Sequence, residues 1–339
     1  MKTTGLVRCG SAVAALAILS ACGGGSTVAP STATLTGAYV GRTLSVNGRL
    51  VTAARLGTLP RYAGILPDRH RKKPRFEYVI NDYGTFAGIF NYPKSTKQVG
   101  TINDVGGQGC TNVLYGYGKK TFWIVAADNQ IEEFKVPDTP IKTLSVRYSF
   151  PSSCAMNTSG DLAVGILYAS SGAGGGDVVI FKNASGSGTA YPTPLDEEFF
   201  DGYDDQGNLF ADGFTGDRSG FALVELPNGG TKFTTIHTSN AIQFPGSVQW
   251  DGTYLTVFDQ LASKIYQYNV KGTKATLKGT VTLSGAGDCA QTWIVKGIVY
   301  CGDAGTDDGE AFPYPAGGSP LAVFTGNFDE PLGVVAAKK

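Results

Sequence analysis

Residues 253–270 read TYLTVFDQLASKIYQYNV. Apolar and polar positions alternate along Lys264-Ile265-Tyr266-Gln267-Tyr268-Asn269-Val270, the period of two of a half-buried β-strand. A strand, Tyr254 to Asp259, precedes it across a short turn. The same pair recurs through the chain. First strands read FEYVIND (76–82), TFWIVAAD (121–128), DLAVGIL (161–167), GNLFAD (207–212), YLTVFD (254–259) and IVYCGD (298–303), five of them ending in Asp. Second strands follow at 84–93, 130–137, 177–183, 221–227, 264–270 and 310–318. A weaker third strand comes next, as at 232–238 or 275–283, and a short strand precedes each unit, as at 152–157 or 246–250.

Four short strands repeating about every 45 residues predict propeller blades. One such blade cannot bury both its faces; a ring of them can. Residues 76–339 span 264 residues, and 264/6 is 44 per blade, so the expected fold is all-β: a six-bladed β-propeller of four-stranded antiparallel blades. Seven blades would need about 40 more residues of strand pattern, which 23–75 do not supply. Blade one, starting at Phe76, lacks an inner strand, and Glu330 to Ala337 is a strand without a blade. The C-terminal strand is therefore expected to close the ring, packing through Leu332, Val334 and Val335.

Composition agrees. Of 339 residues 47 are Gly, and 11% are aromatic against 17% charged, which excludes a helical bundle and a disordered chain. Lys plus Arg and Asp plus Glu both number 28, and a chain without basic excess is not expected to bind nucleic acid. The charge is uneven, however. Residues 23–75 hold nine basic residues, among them Arg69, Arg71, Lys72, Lys73 and Arg75, against Asp68, a balance of +8. Lys2 and Arg8 add +2, so residues 76–339 carry −10.

The first residues, MKTTGLVRCGSAVAALAILSAC, combine a basic start with an apolar run from Ser11 to Leu19, shorter than the ~20 residues that span a bilayer. Such a stretch reads as a secretory signal. Leu19-Ser20-Ala21-Cys22 before a Gly/Ser-rich stretch resembles the bacterial lipobox. That resemblance implies cleavage before Cys22, lipidation of Cys22 with palmitate among its chains, and, with Gly23 next, sorting to the outer membrane or cell surface. The alternative is an ordinary secretory signal. The domain reading is a signal peptide at 1–21, a lipidated Cys and flexible basic tether at 22–75, and the propeller at 76–339.

Glu330-Pro331-Leu332-Gly333-Val334, with Asp205-Gln206-Gly207-Asn208-Leu209-Phe210-Ala211-Asp212, resembles NHL and YVTN-type propeller repeats. The tracts Phe90–Pro93, Val248–Gly252 and Tyr314–Pro320 are similar to a group of bacterial lipoproteins carrying such repeats. The resemblance covers 76–339 and bears on fold, since propellers host many functions.

Four cysteines remain after Cys9 and Cys22: Cys110, Cys154, Cys289 and Cys301. Export makes disulfides compatible. Cys289 and Cys301 flank a predicted hairpin; Cys110 and Cys154 are 44 residues apart, one repeat. The candidate pairs are 289–301 and 110–154, with four buried free thiols as the alternative.

Propellers bind ligands at the mouth of the channel. Residues expected there include Asp104, Gln108, Asp201, Asp288, Gln291 and Glu330, with Asp104, Gln108, Asp288 and Glu330 the candidate ligand-binding set. Oxygen donors of this kind suit Ca²⁺ better than Zn²⁺, so Ca²⁺ is the one cofactor considered and none is otherwise expected. Gluconolactonase-like propellers hold a divalent metal on inner strands. Glu330 matches, but Cys110, Cys154 and Ser247 occupy the other positions. The repeated Asp82, Asp128, Asp212, Asp259 and Asp303 are expected to accept backbone N–H bonds and fix turns. The tract holding Asp307, Asp308 and Glu310 reads as a solvated loop or a cation site. His70 and His237 are not placed for base chemistry. The functional expectation is a lipid-anchored extracytoplasmic propeller, monomeric, acting as a binding or scaffold module for an unidentified protein or small molecule, with no catalysis expected; the alternative is a metal-dependent lactonase-like hydrolase.

Overall fold

The computed structural model describes residues 43–46, 49–52, 74–81, 85–126, 129–147, 150–168, 175–215 and 220–339. The signal, Cys22, the basic run 69–73, Asp82 and Asp128 lie outside the described residues. Within the stretch read as a flexible tether, β1 (Thr43–Val46) and β2 (Arg49–Thr52) pair as a two-stranded sheet. Its signal was local: Asn47-Gly48 between two β-branched runs is a strong hairpin sequence, too short to show a sustained period.

From Pro74 onward the chain is nearly all-β, a propeller-like arrangement of small antiparallel sheets. The first is built from β3 (Arg75–Asn81), β4 (Phe86–Phe90) and β5 (Gln98–Asn103). A four-stranded sheet follows with β6 (Val105–Thr111), β8 (Thr121–Ala126), β9 (Gln130–Lys135) and β10 (Thr139–Ser145), and the short β7 (Gly118–Lys119) lies between β6 and β8 in sequence. The next comprises β11 (Pro151–Met156), β12 (Leu162–Ile166), β13 (Asp177–Phe181) and β14 (Thr189–Pro192). An eight-stranded sheet has two antiparallel halves, β15 (Glu197–Tyr203), β16 (Leu209–Thr215), β17 (Gly220–Leu226), β18 (Thr234–Thr238) and β19 (Pro245–Trp250), β20 (Leu255–Asp259), β21 (Lys264–Lys271), β22 (Lys274–Thr282). Then come β23 (Cys289–Val295), β24 (Ile298–Asp303), β25 (Asp308–Pro313) and β26 (Ala322–Phe324). Finally β27 (Pro331–Lys338) returns to pair antiparallel with β3, from Pro331↔Asn81 to Lys338↔Arg75, and parallel with β7, making the first sheet five-stranded.

Hydrogen bonding thus does not divide the chain into six separate four-stranded sheets. The halves of the eight-stranded sheet meet where β18 runs beside β22 through the pairs His237↔Lys274 and Thr238↔Ala275. Outer strands lie at the surface, where no core fixes their spacing, so neighbouring edges can meet.

The innermost strands stand side by side in the order β6, β11, β15, β19, β23, β27, and β27 touches β6 again. Each begins at what we term the upper end; the first five turn into their partner strands at the lower end, where β27 also finishes beside the start of β3. Apolar faces of neighbouring sheets fill the space between. β27 is buried on both faces: Val334 and Ala336 join one core cluster, Val335 and Ala337 another. Leu332, expected in that core, is only half-buried.

Both candidate disulfides are present, Cys110–Cys154 joining β6 to β11 at a Cα separation of 5.7 Å and Cys289–Cys301 within the β23–β24 hairpin at 5.8 Å. The hairpin register differs from a direct pairing. Cys289 stands opposite Asp303 and Cys301 opposite Thr292, with a bulge between, so the bridge runs diagonally.

Candidate functional site

The channel is bounded by β6, β11, β15, β19 and β23, with Gln108, Cys154, Asp201, Ser247, Gln249 and Gln291 among its lining side chains. Inner strands of neighbouring sheets are not joined by a backbone ladder; side chains join them instead. The Cys110–Cys154 disulfide ties β6 to β11. Ser153 Oγ donates to Asp201 Oδ2 at 2.7 Å, tying β11 to β15. Gly202 of β15 lies so close to β19 that a Cβ there would stand 2.2 Å from Val248 O. Ser247 Oγ and Thr292 Oγ1 are 2.6 Å apart, and Gln249 Oε1 accepts the Ile294 N–H at 2.7 Å, tying β19 to β23. Gln291 closes the circle: its Oε1 accepts from Val334 N at 2.9 Å and Gly109 N at 3.1 Å, while its Nε2 donates to Gly109 O at 2.7 Å. Gln108 Nε2 reaches past β11 to Phe199 O at 3.1 Å.

The lower end of the channel is crossed by the loop after β6. Gln249 Nε2 donates to Leu114 O, Gly116 N to Ile294 O and the Trp293 indole to Gly116 O, at 3.0, 2.9 and 2.9 Å. What remains open to the centres of water-sized molecules is about 30 Å³, space for a few waters and far below a pocket for an organic ligand.

One wall of the upper channel is acidic. Glu198 and Asp201 of β15 share Ser153, whose Oγ lies 3.3 Å from Glu198 Oε1 and 2.7 Å from Asp201 Oδ2. Asp201 Oδ1 and Asp212 Oδ1 are buried with no donor. Burial pushes Asp201 up to about 7. Burial, then the charges of Asp201 and Asp212, hold Glu198 well above the ordinary carboxylate range. Two carboxyls around one hydroxyl favour a state in which they share a proton. Asp201 was expected at this face; Glu198 and Ser153 were not, because a start of strand reading Glu197-Glu198 looks solvated until its neighbours are known.

A second acidic group stands at the upper end of β23 and β24. Asp303 accepts from Gly287 N, Asp288 N and Gly305 N at 2.6, 2.7 and 2.8 Å. Asp259 does the same for Gln243 and Ala262, and Asp212 accepts from Gly246 N. Asp303 and Asp259 therefore fix turns, as expected, whereas Asp212 lies within β16 and binds the neighbouring inner strand β19 instead of its own turn. Burial, then Asp303 and Glu330, push Asp288 up to about 7. Burial, then Asp303 and Asp308, push Glu310 up to about 10. Glu310 is fully buried and neither oxygen has a donor; a hydrogen bond between Glu310 and the neighbouring Asp303 requires Glu310 to be protonated. The solvated-loop reading of Glu310 is therefore corrected. Cys289, Cys301, Asp303 and Glu310 bring ligand atoms within 4.8 Å of one another, but the disulfide removes the thiolates, leaving two hard oxygen donors to which Ca²⁺ would be better suited than Zn²⁺.

Of the four residues expected to form one ligand site, Asp288 and Glu330 lie near each other. Asp104 is exposed beside Glu132, and Gln108 is committed to Phe199.

No protein-family model matches the chain, and no curated protein matches it. Solved structures resemble it in fold. A chain of the nidogen/laminin complex aligns with a TM-score of 0.58 at 13% identity, covering 78% of this chain and 98% of that one. Hydrazine synthase of Kuenenia stuttgartiensis aligns at 0.53 and 12%, covering 71% and 81%. A putative 6-phosphogluconolactonase from Bacteroides uniformis aligns at 0.51 and 10%, covering 76% and 84%. At such identities the likeness is one of fold, and the fold is a propeller-like ring of small antiparallel sheets.

Proposed function

We propose that this chain is a lipid-anchored, extracytoplasmic β-propeller of six blades, of the NHL/YVTN type, that acts as a binding or scaffold module rather than as an enzyme. The six-blade count is supported by six innermost strands in a ring and by the short β18–β22 junction within the eight-stranded sheet. Two disulfides suit an oxidising compartment, in keeping with the signal and Cys22. The observation that carries the binding reading is the channel itself. Its inward amides and hydroxyls and the Cys110–Cys154 disulfide are engaged between strands, and about 30 Å³ is left, so partners meet the rim. Asp104, Asp288 and Glu330 would there attract cationic groups, from Ca²⁺ to a basic protein segment.

The second reading, a metal-dependent lactonase-like hydrolase, is favoured by the likeness to the putative 6-phosphogluconolactonase and by the nearness of Asp288 and Glu330. Lactone hydrolysis, with and without Ca²⁺, Mn²⁺ or Zn²⁺, separates the two. No turnover is expected. Metal-dependent turnover lost in Glu330→Gln would overturn the binding reading.

A further inference from the structure

The strand registers gather acidic side chains at the upper end of the ring, while the lower end is mixed, with Asp204, Asp205 and Asp251 in the turns after β15 and β19 and lysines under β27 and β6. At the upper end stand Asp104, Asp196, Asp288, Asp307, Asp329 and Glu330, all exposed or half-buried. The lower end beneath β27 and β6 is basic. Lys338 pairs with Lys119, Lys120 N donates to Lys338 O at 2.9 Å, Val136 N donates to Lys120 O at 2.8 Å, and Lys135 pairs with Thr121. These backbone bonds hold Lys119, Lys120, Lys135 and Lys338 in one patch. Lys119, Lys120 and Lys135 are exposed, Lys338 half-buried, and Asp138 is the acidic side chain of the adjoining turn. Lys94, between β4 and β5 of the same sheet, and Lys296, in the lower turn of the β23–β24 hairpin, are both exposed. Tyr115, 42% exposed, projects from the loop that crosses the same end. The chain joins the body here as well, since Pro74 O accepts from Lys339 N, and the sequence just before Pro74 is Arg69-His70-Arg71-Lys72-Lys73.

We propose that this lower face docks on anionic lipid headgroups and turns the acidic rim away from the membrane. The proposal takes the membrane partner from the lipid-anchor reading above. Lysines near an anionic surface act additively through attraction that fades within a Debye length, and a tyrosine among them suits the boundary between headgroup and water.

The test uses the full chain carrying Cys22→Ser, so that acylation plays no part, and vesicles of equimolar phosphatidylcholine and phosphatidylglycerol. This chain should bind them, ignore pure phosphatidylcholine vesicles, and release in about 1 M salt, where the Debye length is about 3 Å. Adding Lys119→Gln, Lys120→Gln, Lys135→Gln and Lys338→Gln should lower partitioning on the order of a hundredfold, while Arg147→Gln with Lys264→Gln, at the upper end, should leave it unchanged. Lys119→Gln with Lys120→Gln alone should lower it on the order of tenfold, and guards against misfolding of the fourfold variant. Unchanged partitioning of the paired variant would mean that the tether alone binds, and would overturn the proposal. So would equal binding to neutral vesicles, or no vesicle binding, which would leave an acidic protein as the partner. Acylation is tested separately, by fractionation of the native chain, so failure of one does not imply failure of the other.

Discussion

At the scale of the residue, the buried carboxyls decide how the protein responds to pH. Asp201, Asp288 and Asp308 are pushed up to about 7, and Glu77, buried beside Tyr117 and Tyr300, to about 8. Unfolded, such groups titrate near 4. Between those values the folded chain binds more protons than the unfolded one, so stability falls as pH rises from about 4 to about 8. Thermal unfolding should accordingly occur at a higher temperature at pH 5 than at pH 8, and an optimum near pH 8 would mean that these groups ionise with a compensating cation. Asp201→Asn tests the same idea locally. Asn keeps an acceptor for Ser153 and removes one charge from the Glu198 pair, so at pH 8 it should unfold at the same temperature as the parent or higher. Gly165→Ala should do the opposite: its Cβ would stand 2.0 Å from Glu198 Oε2 and 2.2 Å from Ser153 Oγ, and denaturant melts should show a loss of about 1–3 kcal/mol. These contacts were not legible in the sequence. Gln108 and Gln291 looked like free ligands because nothing in one dimension shows an amide engaged by a strand from another sheet, and Glu310 looked solvated because its burial depends on β23 and β24 folding over it.

Among elements, β27 is the one whose pairing with β3 the sequence made most legible. An orphan strand and an incomplete first blade imply each other, and the register Pro331↔Asn81 to Lys338↔Arg75 joins them. Deleting 330–339 should abolish cooperative thermal unfolding, since Val334 and Val335 are 1% and 0% exposed and each buried aliphatic contributes roughly 1.5–3 kcal/mol. An unchanged melt of the truncated chain would refute closure. The disulfide between β6 and β11 was legible for a related reason: one repeat of separation puts two cysteines at matching positions on adjacent strands. Cys110→Ser with Cys154→Ser should lower stability by about 2–4 kcal/mol. The short β7 and the β18–β22 junction were not legible, because edge pairing follows from how whole sheets tilt rather than from alternation within a strand.

For the whole molecule, location is the property most open to a direct check. Cys22→Ser should release the chain from membranes after a high-salt wash, because several acyl chains hold a protein stably and none do so after the substitution; retention through that wash would refute the anchor. The uneven charge was visible in the sequence only as sums along the chain, +8 over residues 23–75 and −10 over 76–339. Which charges share an end depends on strand direction, and strand direction became known only with the registers. The pairing of β3 with β27 has one further consequence, in time rather than in space. These strands lie more than two hundred residues apart in the chain, and contacts of such separation form late and slowly. Every other sheet can assemble as its strands emerge, one after another. The first must wait for β27 to be made, so until then the nascent chain carries an unfinished edge on β3, and the arrival of β27 is also the moment at which the ring closes.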